Sequence, residues 1–303
     1  MCIIIMKIFR LKGHGFMITK AFGDKKIKIY ALVTFALTVL VCALRTLCLA
    51  FNYDSLGENV GYYESSAALP VLFQVLALLS VLVFASVIFT MKNDEPCSNG
   101  KEDNLALKIV SAAVACELAA VFVISFVSEP LIIANPIFDT LIKISSLISI
   151  AYFVMNIIGK RVNSTVQSIF GFALIVWGVC VIAVTYFDIF IPLNSPDKII
   201  LHLAVLALML FFIAEFRCLV DEMKKKLYVF SLCTAVFFSG VAAVPSLIKW
   251  VALGMSDYSY LYYDAIIFVL FLYSAVRLAS FAFVIDKNRV SIVQNSAETE
   301  KIV

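Results

Sequence analysis

The sequence predicts an all-α integral membrane protein of eight transmembrane helices, with both termini on the cytoplasmic side. Three observations predict it: an apolar composition, eight helix-length apolar runs, and basic residues that alternate from loop to loop. Of 303 residues, 63% are hydrophobic and 15% charged. A soluble domain carries about 45–50% apolar and about 25% charged residues, because its surface needs polar cover. Lipid removes that need, and each crossing takes about 20 apolar residues. The mean hydropathy of +1.01 points the same way.

In chain order, residues 1–28 form a basic leader with Lys7, Arg10, Lys12, Lys20, Lys25, Lys26 and Lys28. The apolar run that follows is too long for a signal-peptide core. The opening MCIIIMKIFRLKGHGF differs from the rest. It is either a short interfacial helix or an upstream extension, with Met17 as the true start. The eight apolar runs are 29–51, 68–91, 105–127, 137–158, 166–189, 199–219, 227–251 and 261–284, each bounded by polar or turn residues. Irregular backbone cannot face lipid, so each run reads as a helix. Residues 29–284 thus make the membrane domain, and 285–303 a cytoplasmic tail.

Cytoplasmic segments are enriched in Lys and Arg. With the N-terminus inside, 20 of the 24 cations fall on the inner side. The outer loops hold Asp54, Glu58, Glu64, Glu129, Asp197 and Asp257. Tyr53, Tyr62, Tyr63, Tyr186, Tyr258, Tyr260, Tyr262, Tyr263 and Trp250 also fall at the outer edge. They read as an interfacial aromatic belt, with a vestibule lining as the alternative for the YSYLYYD cluster.

Short matches hint at an internal repeat. FALTVLVCALRTL from Phe35 matches FALIVWGVCVIAVTY from Phe172, VLAL recurs at Val75 and Val205, and FDTLI at Phe138 matches YDAII at Tyr263. The pieces keep their order, which suggests two parallel four-helix halves, an arrangement found in transporters.

Charges near the bilayer centre cost about 2.5–3.5 kcal/mol on insertion scales, so they mark interior faces. Glu117 lies mid-helix in SAAVACELAA, where Ala112, Ala113, Ala115, Ala119 and Ala120 permit close helix approach. It reads as a proton or cation site, or as a protonated carboxyl bonded to a neighbouring helix. Arg45, Gln74, Asp139, Lys143, His202 and Asp264 fall in the outer third of five helices and suggest an outward polar pocket, in which Arg45 pairs with one of the acids. Asp188 and Lys249 lie at the same depth and read either as pocket residues or as helix-end residues snorkelling to the headgroups. Near the inner end, Glu215 on the sixth span and Arg277 on the eighth read as a structural ion pair. Pro245 is expected to kink the seventh.

No phosphate-binding loop, dinucleotide fingerprint or H-E-x-x-H motif occurs. The two histidines are too few for a His-based zinc site. None of the eight cysteines makes a C-x-x-C pair, and most sit in apolar runs as small buried residues. The loops are too short for a soluble catalytic domain. No enzyme activity, cofactor, metal or nucleic acid is therefore expected. The expected partners are the bilayer and either a second copy or a separate membrane or cytoplasmic protein.

ALRTLCLAFNYDSLGENVGYY, and HLAVLALMLFFIAEFR followed by SGVAAVPSLI, resemble uncharacterised multi-pass membrane proteins of clostridial (Firmicutes) bacteria. The resemblance covers the helical body and implies a bacterial cytoplasmic membrane. It also implies that Arg45, Asp54, His202, Glu215 and Arg217 belong to recognisable motifs. No activity comes with it. The expectation is a small-solute transporter or permease-like protein, with the outer pocket as its site and Glu117 as its coupling group. The alternative is a membrane sensor that acts through a separate cytoplasmic partner.

Overall fold

The computed structural model describes residues 25–53, 62–63, 67–91, 104–127, 136–159, 162–188, 194–220, 224–253 and 261–283. The readings of leader residues 1–24, of Met17, of the tail, of Asp54, Glu58, Glu64, Glu129 and Asp257, and of Tyr258 and Tyr260 lie outside them, whereas Lys25, Lys26 and Lys28 of the leader belong to the first helix. The described residues form eight helices: α1 Lys25–Phe51, α2 Ala68–Thr90, α3 Leu105–Val127, α4 Pro136–Ile158, α5 Ser164–Phe187, α6 Pro196–Leu219, α7 Lys225–Leu253 and α8 Leu261–Phe283. All eight are long and apolar enough to cross a bilayer. Outside the helices, the one pairing among the described residues is an antiparallel bridge between Tyr53 and Tyr63.

The helices exceed the apolar runs where polar residues cap them. Asn163 accepts a hydrogen bond from the Thr165 amide and starts α5. Ser195 accepts from the Lys198 amide, and Pro196 occupies the first position of α6. A side-chain acceptor satisfies an orphan N–H, and proline has none to lose there. Asp197 therefore lies in the first turn of α6, not in a loop.

α7 is the central helix and packs on α1, α2, α6 and α8. Its Tyr228, Val229, Leu232, Cys233, Val236 and Phe237 are all fully buried, as expected for a helix apolar on every side. Gly240 marks its closest approach: a Cβ there would lie 2.7 Å from the Thr38 methyl and 2.9 Å from the Phe271 ring. α3, α4, α5 and α6 pack in sequence around the far side of α8, and α2 lies at the rim against α1 and α7. Tyr152, Phe153, Phe211, Phe212, Phe216 and Tyr273 interlock α4, α6 and α8 edge to face and in stacks. Such ring pairs each add about 0.5–1.5 kcal/mol beyond area burial.

Leu78, Phe89 and Ile169 remain 63%, 86% and 64% exposed. They belong to an apolar mantle that water would not tolerate at this extent, so the bundle contacts lipid. The two proposed halves are packed differently. α3 and α7 would be equivalents, yet α3 packs on α4 and α8 whereas α7 has four neighbours. Asp139 and Asp264, matched in the short repeats, each fall in the first turn of their helices.

Candidate functional site

The site is built on a proline. Pro245 lies inside α7 and has no amide hydrogen for the carbonyl four residues earlier, that of Val241. Arg45 fills this vacancy from α1. Its Nη1 donates to the Val241 carbonyl and, at 2.7 Å, to that of Ala242. Ser246 also donates its hydroxyl to the Ala242 carbonyl. The Nη2 of Arg45 donates to Oδ1 of Asp197 on α6 at 2.7 Å. Arg45 is 1% exposed and Asp197 4%. One guanidinium thus joins α1, α6 and α7 inside the protein, where its planar fork suits several acceptors at once.

Other charges surround this tie. Lys249, one turn beyond Pro245, places Nζ 3.6 Å from the Tyr53 ring centroid and interacts electrostatically with Asp197 and Asp264. Lys249 and Asp264 are 6% and 3% exposed. Lys198, fully buried, donates to the Asp188 carbonyl at 3.0 Å. Beside it, half-buried His202 hydrogen-bonds Thr185 at 2.8 Å. Asp188 and Lys249 are therefore interior residues, not side chains that snorkel to headgroups. Tyr53 and Tyr63 close the end: their rings meet edge-on at 6.1 Å, beside Asp197 and Arg45. Burial raises both phenols above the ordinary tyrosine range, with Tyr63 pushed up to about 12.

The structure brings together only part of the expected pocket. Arg45 and Asp264 belong to the cluster, and His202 flanks it through Lys198. Gln74 is exposed on α2 and stands outside it. Asp139 and Lys143 pair with each other at 2.7 Å as i,i+4 neighbours on α4, both partly exposed. Arg45 takes Asp197 of α6 as an acid partner. Sequence reasoning missed Asp197 and Lys198 as site residues; the Ser195–Pro196 cap signal would have placed both on α6. Tyr53 and Tyr63 serve the cluster, while Tyr186 and Trp250 are 52% and 44% exposed, as belt residues are. Glu117 is half-buried at the middle of α3, away from this end, with no hydrogen bond or ion pair among the described residues.

A second polar layer lies toward the other end. Arg277 Nη2 meets Oε1 of Glu215 at 2.7 Å, and the Tyr228 hydroxyl donates to Oε2 at 2.5 Å. Among the described residues, no group of three or more His, Cys, Asp or Glu could hold a metal ion. No family model, curated protein or solved structure matches the chain.

Proposed function

We propose that the protein is a small-solute transporter or permease-like protein, not an enzyme, and that the Arg45–Asp197 tie closes its solute site. The observation that carries this reading is the Arg45 guanidinium, held between a carboxylate and the carbonyl that Pro245 frees. Interrupted helices with freed carbonyls form solute sites in transporters, and ionisable groups inside a membrane commonly mark solute or ion routes. A charged small solute that binds Arg45 or Asp197 competes with the tie and favours a state in which α1, α6 and α7 separate.

In this reading the Arg45 end faces outward, because 20 of the 24 cations lie in segments of the opposite side. The membrane is the cytoplasmic membrane of a bacterium, as the clostridial resemblance implies. Glu117 lies apart and is left out of the solute site.

Uptake into proteoliposomes under an imposed pH gradient tests the proposal, with a panel of labelled amino acids, carboxylates and phosphorylated sugars. At least one class should accumulate, and Arg45→Ala should abolish its uptake. Failure of every solute, together with co-purification of a second protein, would replace transport by sensing through a cytoplasmic partner.

A further inference from the structure

The interior charges at the Arg45 end balance one another. Lys249 interacts electrostatically with Arg45, Asp197 and Asp264, and all four residues are buried. Two cations thus face two carboxylates. Lys198 beside them is set against Asp188. With each group in its ordinary charged form, the cluster is neutral as a whole. An uncompensated charge is expensive in a protein interior, so a solute that enters must leave this balance intact.

That requirement sorts solute classes. A simple anion that takes the Arg45 guanidinium displaces Asp197 and strands its carboxylate. A simple cation that takes Asp197 strands the guanidinium. A zwitterion that inserts between the two strands neither, because its carboxylate meets Arg45 and its ammonium meets Asp197. Both contacts have counterparts within the protein. Asp197 places a carboxylate on Nη2 of Arg45 at 2.7 Å. Lys249 places an ammonium 3.6 Å from the centroid of the Tyr53 ring, and Tyr53 lies beside Asp197.

Asp197 narrows the class further. Its Oδ1 accepts from Arg45, whereas Oδ2 is buried and accepts no hydrogen bond among the described residues. A buried carboxylate oxygen without a donor is destabilising. A primary ammonium brings three donors, enough for Oδ2 and for the Oδ1 that Arg45 releases. A trimethylated ammonium brings the charge but no donor.

We propose that the solute is an amino acid with a free primary ammonium. It inserts into the Arg45–Asp197 pair, its carboxylate on the guanidinium and its ammonium on Asp197 beside the Tyr53 ring. This assignment rests on the transport reading for the entry of a solute here, and binding measured apart from uptake separates the two.

Equilibrium binding of tritiated amino acids, one at a time, to the purified full-length protein in nanodiscs tests the class. At least one should bind saturably. Its deaminated carboxylic acid and its decarboxylated amine should each compete at least about 100-fold more weakly, since each strands one member of a buried pair. Its N-trimethyl derivative should compete at least about 10-fold more weakly. In Asp197→Asn the order should reverse, with the carboxylic acid bound more tightly than the amino acid, because the anion alone then neutralises Arg45. The wild-type series decides the class even where Asp197→Asn does not fold. Amino-acid binding without uptake into proteoliposomes supports the class and removes transport. Uptake of a carboxylate or a phosphorylated sugar with no amino acid bound keeps transport and overturns the class. An acid or amine that competes as well as its parent amino acid, or a folded Asp197→Asn that keeps the wild-type order, also overturns it. If no solute binds or accumulates, both fall.

Discussion

Arg45 on α1 donates to the Val241 carbonyl of α7, the acceptor that Pro245 leaves without a backbone donor. The proline and the arginine are thus one device, although 200 residues separate them in the chain. Pro245→Ala separates their roles. It restores an amide at position 245 and removes a helix penalty of up to about 3 kcal/mol, but it sets that amide against Arg45 for the same oxygen. The expected outcome is unchanged or raised thermal stability in detergent, with solute uptake lost. A variant that transports as wild type does would separate the proline from function.

The Arg45–Asp197 pair makes a second, quantitative expectation. Asp197→Asn leaves a guanidinium buried without its counter-charge, and breaking a buried pair on one side costs about 3–5 kcal/mol. Replacing both members, as in Arg45→Met with Asp197→Leu, removes the charge along with its need. The double variant should therefore be more stable than Asp197→Leu alone, which strands the guanidinium as Asp197→Asn does. Thermal melting of the four proteins of the cycle checks this, and strict additivity would argue against direct coupling.

The eight helices were legible because lipid imposes one simple rule, a long apolar run, and every helix obeys it. The Glu215 and Arg277 positions were legible as polar exceptions at one depth. The outer cluster was harder to read. Asp197 and Lys198 precede the apolar run of α6, so hydropathy alone puts them in a loop, whereas the Ser195 cap and Pro196 carry them into the helix. Gln74 illustrates the opposite limit. α2 is apolar on all sides, so its sequence gives no angular information about which face meets α1 and α7. The partner of Arg45 depends on which helices are neighbours, and short loops do not fix that for an eight-helix bundle.

Tyr63 supplies a pH signature. Burial pushes its phenol up to about 12, against an ordinary value of 10.0. The folded state thus holds the proton more tightly than the unfolded one. Its contribution to stability is complete below pH 10 and is lost as pH rises through about 12. Alkaline difference absorbance of wild type minus Tyr63→Phe should show a transition centred near that upper value. A transition centred at the ordinary value would place Tyr63 in open water.

The deeper polar layer lends itself to a graded test. Tyr228 donates to Glu215, whose other oxygen holds Arg277. Tyr228 is fully buried and Glu215 is 1% exposed, so no water substitutes readily for the lost hydroxyl. Hydrogen bonds to charged groups are worth about 1.5–3 kcal/mol, and Tyr228→Phe should lose about that amount with little change in packing. Glu215→Gln should cost more, because Arg277 then lacks its counter-charge. That order, Glu215→Gln below Tyr228→Phe below wild type, follows only if the carboxylate is the centre of the layer. The reverse order in thermal melts would mean that the Tyr228 hydroxyl matters more than the charge of the carboxylate it contacts.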